Sequence, residues 1–153
     1  MAPLRTIRPA VLADAPEISA LITGVSRFFT LEPDGRGVGV FLKSITTEAI
    51  AGYIGDPGYH YITAFEENTL AGVAALRGGN HLFHLFVAPA FHRQGLARDL
   101  WEEIKKSAAP GTSEITVNSS PYAVPVYERF GFAVAGPRTE AAGIAFIPMK
   151  KRI

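Results

Sequence analysis

His84-Leu-Phe-Val-Ala-Pro-Ala-Phe-His-Arg-Gln-Gly-Leu-Ala-Arg-Asp-Leu100 joins a strand to a helix near the middle of the chain. It begins as an apolar strand, turns at Pro89, and passes through Gly95 directly into an amphipathic helix. The first N–H groups of a helix have no partner inside it, and the helix dipole adds partial positive charge at that end. A loop entering a helix start therefore suits a phosphate or pyrophosphate. Gly95 permits close backbone approach, and small Ala97 leaves the next turn unobstructed. Taken alone, the stretch predicts an anion held at a helix start.

The 153 residues suffice for one domain with a real core, and residues 1–153 are read as a single unit without repeat or linker. Hydrophobic residues make up 48% and charged residues 19%, a globular balance that argues against disorder. A formal net charge of +1 offers no basic footprint for nucleic acid. Without cysteine there are no disulfides, thiolate metal sites or cysteine nucleophiles, and the four histidines show no paired ligand spacing, so no metal is expected. No signal-like or membrane-spanning run is evident, so the expected compartment is the cytoplasm, with no membrane partner.

Outward from the opening stretch, Leu4 to Pro9 reads as a first strand. Asp14, Pro16 and Glu17 form a start signal of capping-box type for a helix with Ile18, Leu21, Ile22 and Val25 on one face. From Arg27 to Lys43, Phe28, Phe29, Phe41 and Leu42 flank a turn-rich centre with Gly35, Gly37 and Gly39. That run neither follows a clear strand nor opens a helix, so it reads as a surface loop or a wall of a substrate pocket rather than a phosphate cradle. A short helix is expected from Thr46 or Thr47 to Ile54. Strands Tyr59 to Phe65, Leu70 to Leu76 and His81 to Val87 follow, joined by turns at Glu66 to Thr69 and Arg77 to Asn80.

The helix opened by Gly95 carries Leu96, Leu100, Trp101, Ile104 and Ala108 on one face, with Glu102 and Lys106 as an exposed pair, and ends at Pro110 and Gly111. Glu114 to Val117 is a strand, Asn118 to Pro121 a turn, and a brief helix with Pro125 in its first turn ends at Gly131. Phe132 to Ala135 and Gly143 to Met149 close the sheet, with Pro148 at an edge or bulge. The fold class is α/β, an α+β mixed sheet with helices on its faces.

The run from the strand end Leu85-Phe-Val87 through His92-Arg-Gln-Gly-Leu-Ala97 resembles the acyl-CoA signature of the GNAT superfamily of N-acetyltransferases. Ala123-Val-Pro-Val-Tyr-Glu-Arg-Phe-Gly-Phe132 is similar to that superfamily's second signature, at the usual separation. The resemblance implies a mostly antiparallel sheet of about seven strands flanked by about four helices, in the order β-α-α-β-β-β-α-β-α-β-β. It also implies acetyl-CoA as co-substrate, held by Phe86 and Val87 main-chain groups and by His92, Arg93, Gln94, Gly95, Leu96, Ala97 and Arg98. His92 stands where the signature usually has Gln or Arg. Ser120 replaces an asparagine often found early in the second signature, and Asn118 is expected to take over its contact.

An amine attacking a thioester must lose an ammonium proton while a thiolate departs, so both a base and an acid are useful. The resemblance gives Tyr127 the acid role and suggests His81 as the base, with His60 and Glu140 as weaker candidates. His81 and His84 read equally well as plain strand residues beside the Asn80 turn. The reading is therefore direct acetyl transfer from acetyl-CoA to a primary amine on a small molecule or peptide. A non-catalytic acyl-CoA-binding module is the alternative. A dinucleotide fold of Rossmann type would need three spaced glycines and a following acidic residue, whereas this stretch offers Gly95 and Ala97. Dimerisation, common in the resembling family, has no mark in this sequence.

Overall fold

The computed structural model describes residues 4–26, 37, 39–141 and 143–153. Phe28, Phe29, Gly35 and most of the expected loop lie outside the described residues.

Strand β1 (Arg5–Pro9) leads through a tight turn into α1 (Ala15–Val25), then α2 (Gly39–Lys43) and α3 (Thr47–Gly55). Strands β2 (Tyr59–Glu66), β3 (Thr69–Arg77) and β4 (His81–Val87) form an antiparallel meander. Helix α4 (Leu96–Lys105) crosses to β5 (Glu114–Ser119), α5 (Val124–Arg129) follows, and β6 (Ala133–Val134), β7 (Thr139–Ala141) and β8 (Ile144–Arg152) complete the sheet. The strand order is β1-β2-β3-β4-β5-β8-β6, with β7 also on β8. Every pairing is antiparallel except β4 with β5.

The described residues hold five α-helices and eight strands, close to the expected four or so and seven or so. The additions are α2, five residues within the expected loop, and β7, three exposed residues that pair only with β8. Neither is long enough to display a hydrophobic period, so only tertiary pairing reveals them. Other boundaries move for identifiable reasons. Asn118 and Ser119 continue β5 because they pair with Pro148 and Ile147 of β8. Helix α4 ends at Lys105, short of Pro110, where the chain turns so that Ala109 N–H donates to the Gly79 carbonyl at 3.0 Å.

Asp14 does not cap α1. Its carboxylate accepts from Val11 N–H and from both terminal nitrogens of Arg8 at 2.9 and 3.0 Å, and the Arg8 bonds hold its pKa below the usual carboxylate range. The exposed pairs on α4 form at three-residue spacing, Glu102 with Lys105 and Glu103 with Lys106.

The sheet separates two apolar cores. Alternation along β3 sends Ala71, Ala74 and Leu76 toward α4 and Leu70, Val73 and Ala75 toward α1 and α3. On the α4 face Trp101 is stacked parallel to Phe130, with Phe132 edge-on at 5.1 Å. On the other face Ile18, Ile22, Ile45 and Ile50 are fully buried. Gly72 lets α4 close on β3, since a Cβ there would lie 2.9 Å from Leu100 Cδ1 and 3.0 Å from the Phe86 carbonyl. Pro148 sits where β6 has ended and β7 has not begun, so its missing N–H costs the sheet no bond on that side.

Two glycine substitutions should move stability in opposite directions. Gly79 has φ +75° and a Cβ there would lie 2.6 Å from Ala109 Cβ, so Gly79→Ala should cost more than about 1 kcal/mol. Gly24, exposed in α1 with no atom within 4 Å of an added Cβ, should gain about 0.5–1 kcal/mol as Gly24→Ala. Urea midpoints at unchanged m-values check both.

Candidate active site

Strands β4 and β5 pair at only two positions, His81 with Thr116 and Leu82 with Val117. Beyond them β4 runs on for five residues and β5 for two without bonding to each other, and a fork opens in the sheet. A cavity of about 980 Å³ fills this fork and continues onto the α1 and α3 face. The register of β3 with β4 shifts between Ala75 and Leu76, leaving Phe83 as an extra residue. This bulge sends both Phe83 and His84 to the α1 and α3 face, where Tyr53 meets both rings edge-on.

The ladder also decides which main-chain groups face the fork. Ala88 N–H donates to the Ala71 carbonyl, so Gly72 and Val87 form a non-hydrogen-bonded pair and Phe86 exchanges its bonds with Val73. Main-chain groups of Leu85 and Val87 therefore face the open side, while those of Phe86 are spent on β3. Leu85 escaped the sequence reading because ladder phase is invisible without the partner strand.

The loop after β4 enters α4 through two residues in left-handed backbone, Arg93 at φ 63° and Gly95 at φ 75°. The first is strained for a side chain-bearing residue, and such strain concentrates at ligand-binding turns. No side chain caps α4, so its first N–H groups are open to an outside acceptor. A Cβ built on Gly95 meets nothing within 4 Å, so the space before this backbone is free. Leu96, 1% exposed, anchors the helix start in the core.

His92 Nε2 lies 2.8 Å from the Val87 carbonyl, which can only accept, so that nitrogen carries the proton and ties the loop back to the strand end. Arg98 stacks its guanidinium 5.3 Å from the centre of Phe130. Arg93 is exposed at the cavity wall. Gln94 Nε2 reaches the Ala90 carbonyl at 3.4 Å, and of the residues expected to hold acetyl-CoA it alone does not line the cavity.

From the opposite wall α5 presents Tyr127, 6% exposed, with Phe130 and Phe132 edge-on at 6.2 and 5.6 Å. Its hydroxyl has no hydrogen-bond partner among the described residues, and no enclosed side-chain polar atom there lacks one. The hydroxyl therefore reaches the cavity, and burial raises its pKa. Asn118 is exposed on β5 at the cavity edge. Ser120 is occupied otherwise: its Oγ accepts from Ala123 N–H and shapes the turn into α5.

His81 Nδ1 lies 2.8 Å from Thr116 Oγ1, and burial, followed by the charge of Arg77, lowers its pKa. His60 is exposed on β2, and Glu140 is exposed on β7; neither lines the cavity. Among the described residues no three His, Asp or Glu gather as a metal site, and no helix is long and apolar enough to cross a membrane.

The chain belongs to the GNAT acetyltransferase family: the family model of the acetyltransferase (GNAT) domain matches residues 29–153. No curated protein matches it in sequence. Among solved structures, a GCN5-related N-acetyltransferase from Rhodopseudomonas palustris superposes with a TM-score of 0.82 at 19% identity, covering 100% of this chain and 97% of the other. The PaiA N-acetyltransferase from Thermoplasma acidophilum, solved with coenzyme A, gives 0.79 at 16% identity over 98% and 99%. A ribosomal-protein-alanine N-acetyltransferase from Escherichia coli gives 0.72 at 20% identity over 98% and 94%.

His84 makes stability depend on pH. It is buried with Nδ1 2.7 Å from Tyr61 Oη, and burial pushes its pKa down to about 3. The unfolded chain takes up this proton near pH ~6.5. The contribution is thus complete above that pH and lost as pH falls toward 3. Urea unfolding should show a loss from this group approaching about 1.4 kcal/mol per pH unit within that window. His84→Phe should be less stable at pH 7, because Tyr61 Oη loses its partner, yet show a shallower pH slope.

Proposed function

We propose that residues 1–153 act as one N-acetyltransferase domain that moves an acetyl group from acetyl-CoA directly to a primary amine of a small molecule or peptide. One observation carries this reading: a single cavity joins the uncapped start of α4 to the Tyr127 hydroxyl and to His81.

The fit of the loop to an acyl-CoA rests on its own chemistry. Free N–H groups at the start of α4, open space before Gly95 and the charges of Arg93 and Arg98 suit a pyrophosphate. Leu85 main-chain groups and the Val87 N–H on the open side of β4 suit the amide groups of a pantetheine arm, lying where a strand would otherwise pair. His92 braces the loop rather than contacting the phosphates. Asn118, at the far edge, is suited to the end of the arm near the thiol.

Bound acetyl-CoA supplies the activated acetyl thioester. Tyr127 donates its proton to the departing sulfur, and burial in an aromatic surround keeps that phenol protonated until the thiolate develops. His81 takes the amine proton. If its Nδ1–H is donated to Thr116, the ring is oriented with Nε2 free to accept. Its lowered pKa keeps the ring neutral at pH 7.

Tyr127→Phe should lower kcat by about 10²-fold or more while the Kd for acetyl-CoA changes less than about threefold. Equal effects on both would remove Tyr127 from the acid role. Thiol release with a panel of amines tests the reading as a whole, since a non-catalytic acyl-CoA-binding module would bind acetyl-CoA and release none.

The pH profile tests His81 separately. A base with a depressed pKa stays neutral until pH drops below the ordinary histidine value of about 6.5. The acidic limb of kcat should therefore lie below that pH, and His81→Gln should both slow turnover and erase the limb.

A further inference from the structure

The end of the cavity away from α4 has a distinct chemistry. Tyr53 of α3, Tyr59 of β2 and Phe83 of β4 form a three-ring cluster with centroids 4.9, 5.0 and 5.2 Å apart. The β4 bulge brings Phe83 into this cluster by turning it to the α3 face. Tyr53 is held by its hydroxyl, which donates to the Ser44 carbonyl at 2.8 Å. The result is a fixed aromatic wall, suited to a flat or bulky apolar group.

Arg77 stands at the rim of that wall, its guanidinium 5.3 Å from the centre of Phe83. It is exposed and has no carboxylate partner among the described residues. In the sheet it lies between Tyr59 and His81, paired with both across β2, β3 and β4. Arg93 and Arg98 lie at the start of α4, so Arg77 is not part of the phosphate end. Among the described residues lining the cavity there are four arginines and no aspartate or glutamate.

This balance discriminates between acceptors. An amine with a second positive charge, such as a polyamine or a lysine side chain in a basic peptide, meets repulsion from these arginines and finds no carboxylate among the described residues that line the cavity. An amine accompanied by a carboxylate finds the Arg77 guanidinium, without a carboxylate partner among the described residues, one strand from His81, and cross-strand neighbours lie only about 5 Å apart at Cα. Directly paired residues project from the same face of the sheet, so the two side chains can reach the amine and the carboxylate of one α-amino acid.

We propose that the acceptor is a free aromatic or large apolar amino acid, its carboxylate on Arg77 and its side chain against Tyr53, Tyr59 and Phe83. The proposal rests on the acetyltransferase reading above. In the reaction the amine nitrogen bonds to the acetyl carbonyl carbon and the carbon–sulfur bond breaks. One amine proton leaves to the base and sulfur gains a proton, giving the N-acetyl amino acid and CoA thiol.

The test compares phenylalanine, phenylalanine amide, phenethylamine and spermidine as acceptors with acetyl-CoA. Phenylalanine should exceed phenethylamine and phenylalanine amide in kcat/KM by about tenfold or more, with spermidine below both. Arg77→Ala should shrink the phenylalanine-to-phenethylamine ratio at least about fivefold, and Arg77→Lys should restore part of it. An unchanged acetyl-CoA thermal shift in each variant shows that the fold and cofactor end are intact.

A preference for phenethylamine, the amide or spermidine overturns the proposal, as does a ratio indifferent to Arg77→Ala. Binding of acetyl-CoA without thiol release on any of the four also overturns it but leaves the family's chemistry standing. Neither a thermal shift with acetyl-CoA nor thiol release with any amine would instead remove the acetyltransferase reading beneath it.

Discussion

The structure depends on a sheet that stops pairing with itself. β4 and β5 share two residue pairs and then part, although both are held firmly on their outer sides, β4 by β3 and β5 by β8. Unpaired main-chain groups inside a protein are costly unless something satisfies them. A fork in a sheet is therefore a standing demand for a ligand with amide-like groups or for water. The α4 crossover closes one side of the fork and aims its free N–H groups into it, so the strand end and the helix start serve one cavity.

Rigid surroundings keep the fork in shape. Trp101 between Phe130 and Phe132 ties α4 to the segment carrying Tyr127, and Leu100 against Gly72 ties it to β3. Arg5 adds a polar clamp, donating to Glu66 at 2.7 Å and to Asp99 at 2.8 Å, so β1, β2 and α4 are joined at the rim. The bond to exposed Asp99 contributes little singly, whereas Glu66 is buried and its bond to Arg5 is the better shielded of the two. The two walls bearing the Tyr127 phenol and the loop that opens α4 are thus parts of one packed core.

Departures from the family pattern become intelligible once partners are visible. His92 takes the place of a Gln or Arg and bonds the Val87 carbonyl, joining the loop to the strand it leaves. Ser120 caps the turn before α5, work that a serine hydroxyl does as well as an asparagine amide. Charge is distributed with similar economy. Among the described residues the carboxylates of Asp14, Glu66, Asp99, Glu102 and Glu103 pair away from the cavity, while Arg77, Arg93, Arg98 and Arg129 line its walls.

Most of the architecture was legible in the chain because its signals are local. The apolar faces of α1 and α4, the glycines of the Arg77 to Asn80 turn and the Gly95 helix entry each follow from short-range periodicity or backbone freedom. Both signatures could be read for the same reason, since each lies within about ten consecutive residues of sequence. What needed the tertiary structure was everything set by a partner strand: β7, the continuation of β5 through Asn118, and the ladder phase that exposes Leu85 in place of Phe86. The wall of Tyr53, Tyr59, Phe83 and Arg77 also arises there, because one extra residue in β4 turns two neighbouring side chains to the same face. Sequence alone determined that a glycine-opened helix start and a tyrosine-bearing helix would exist. Strand register, a long-range property, decided what they face.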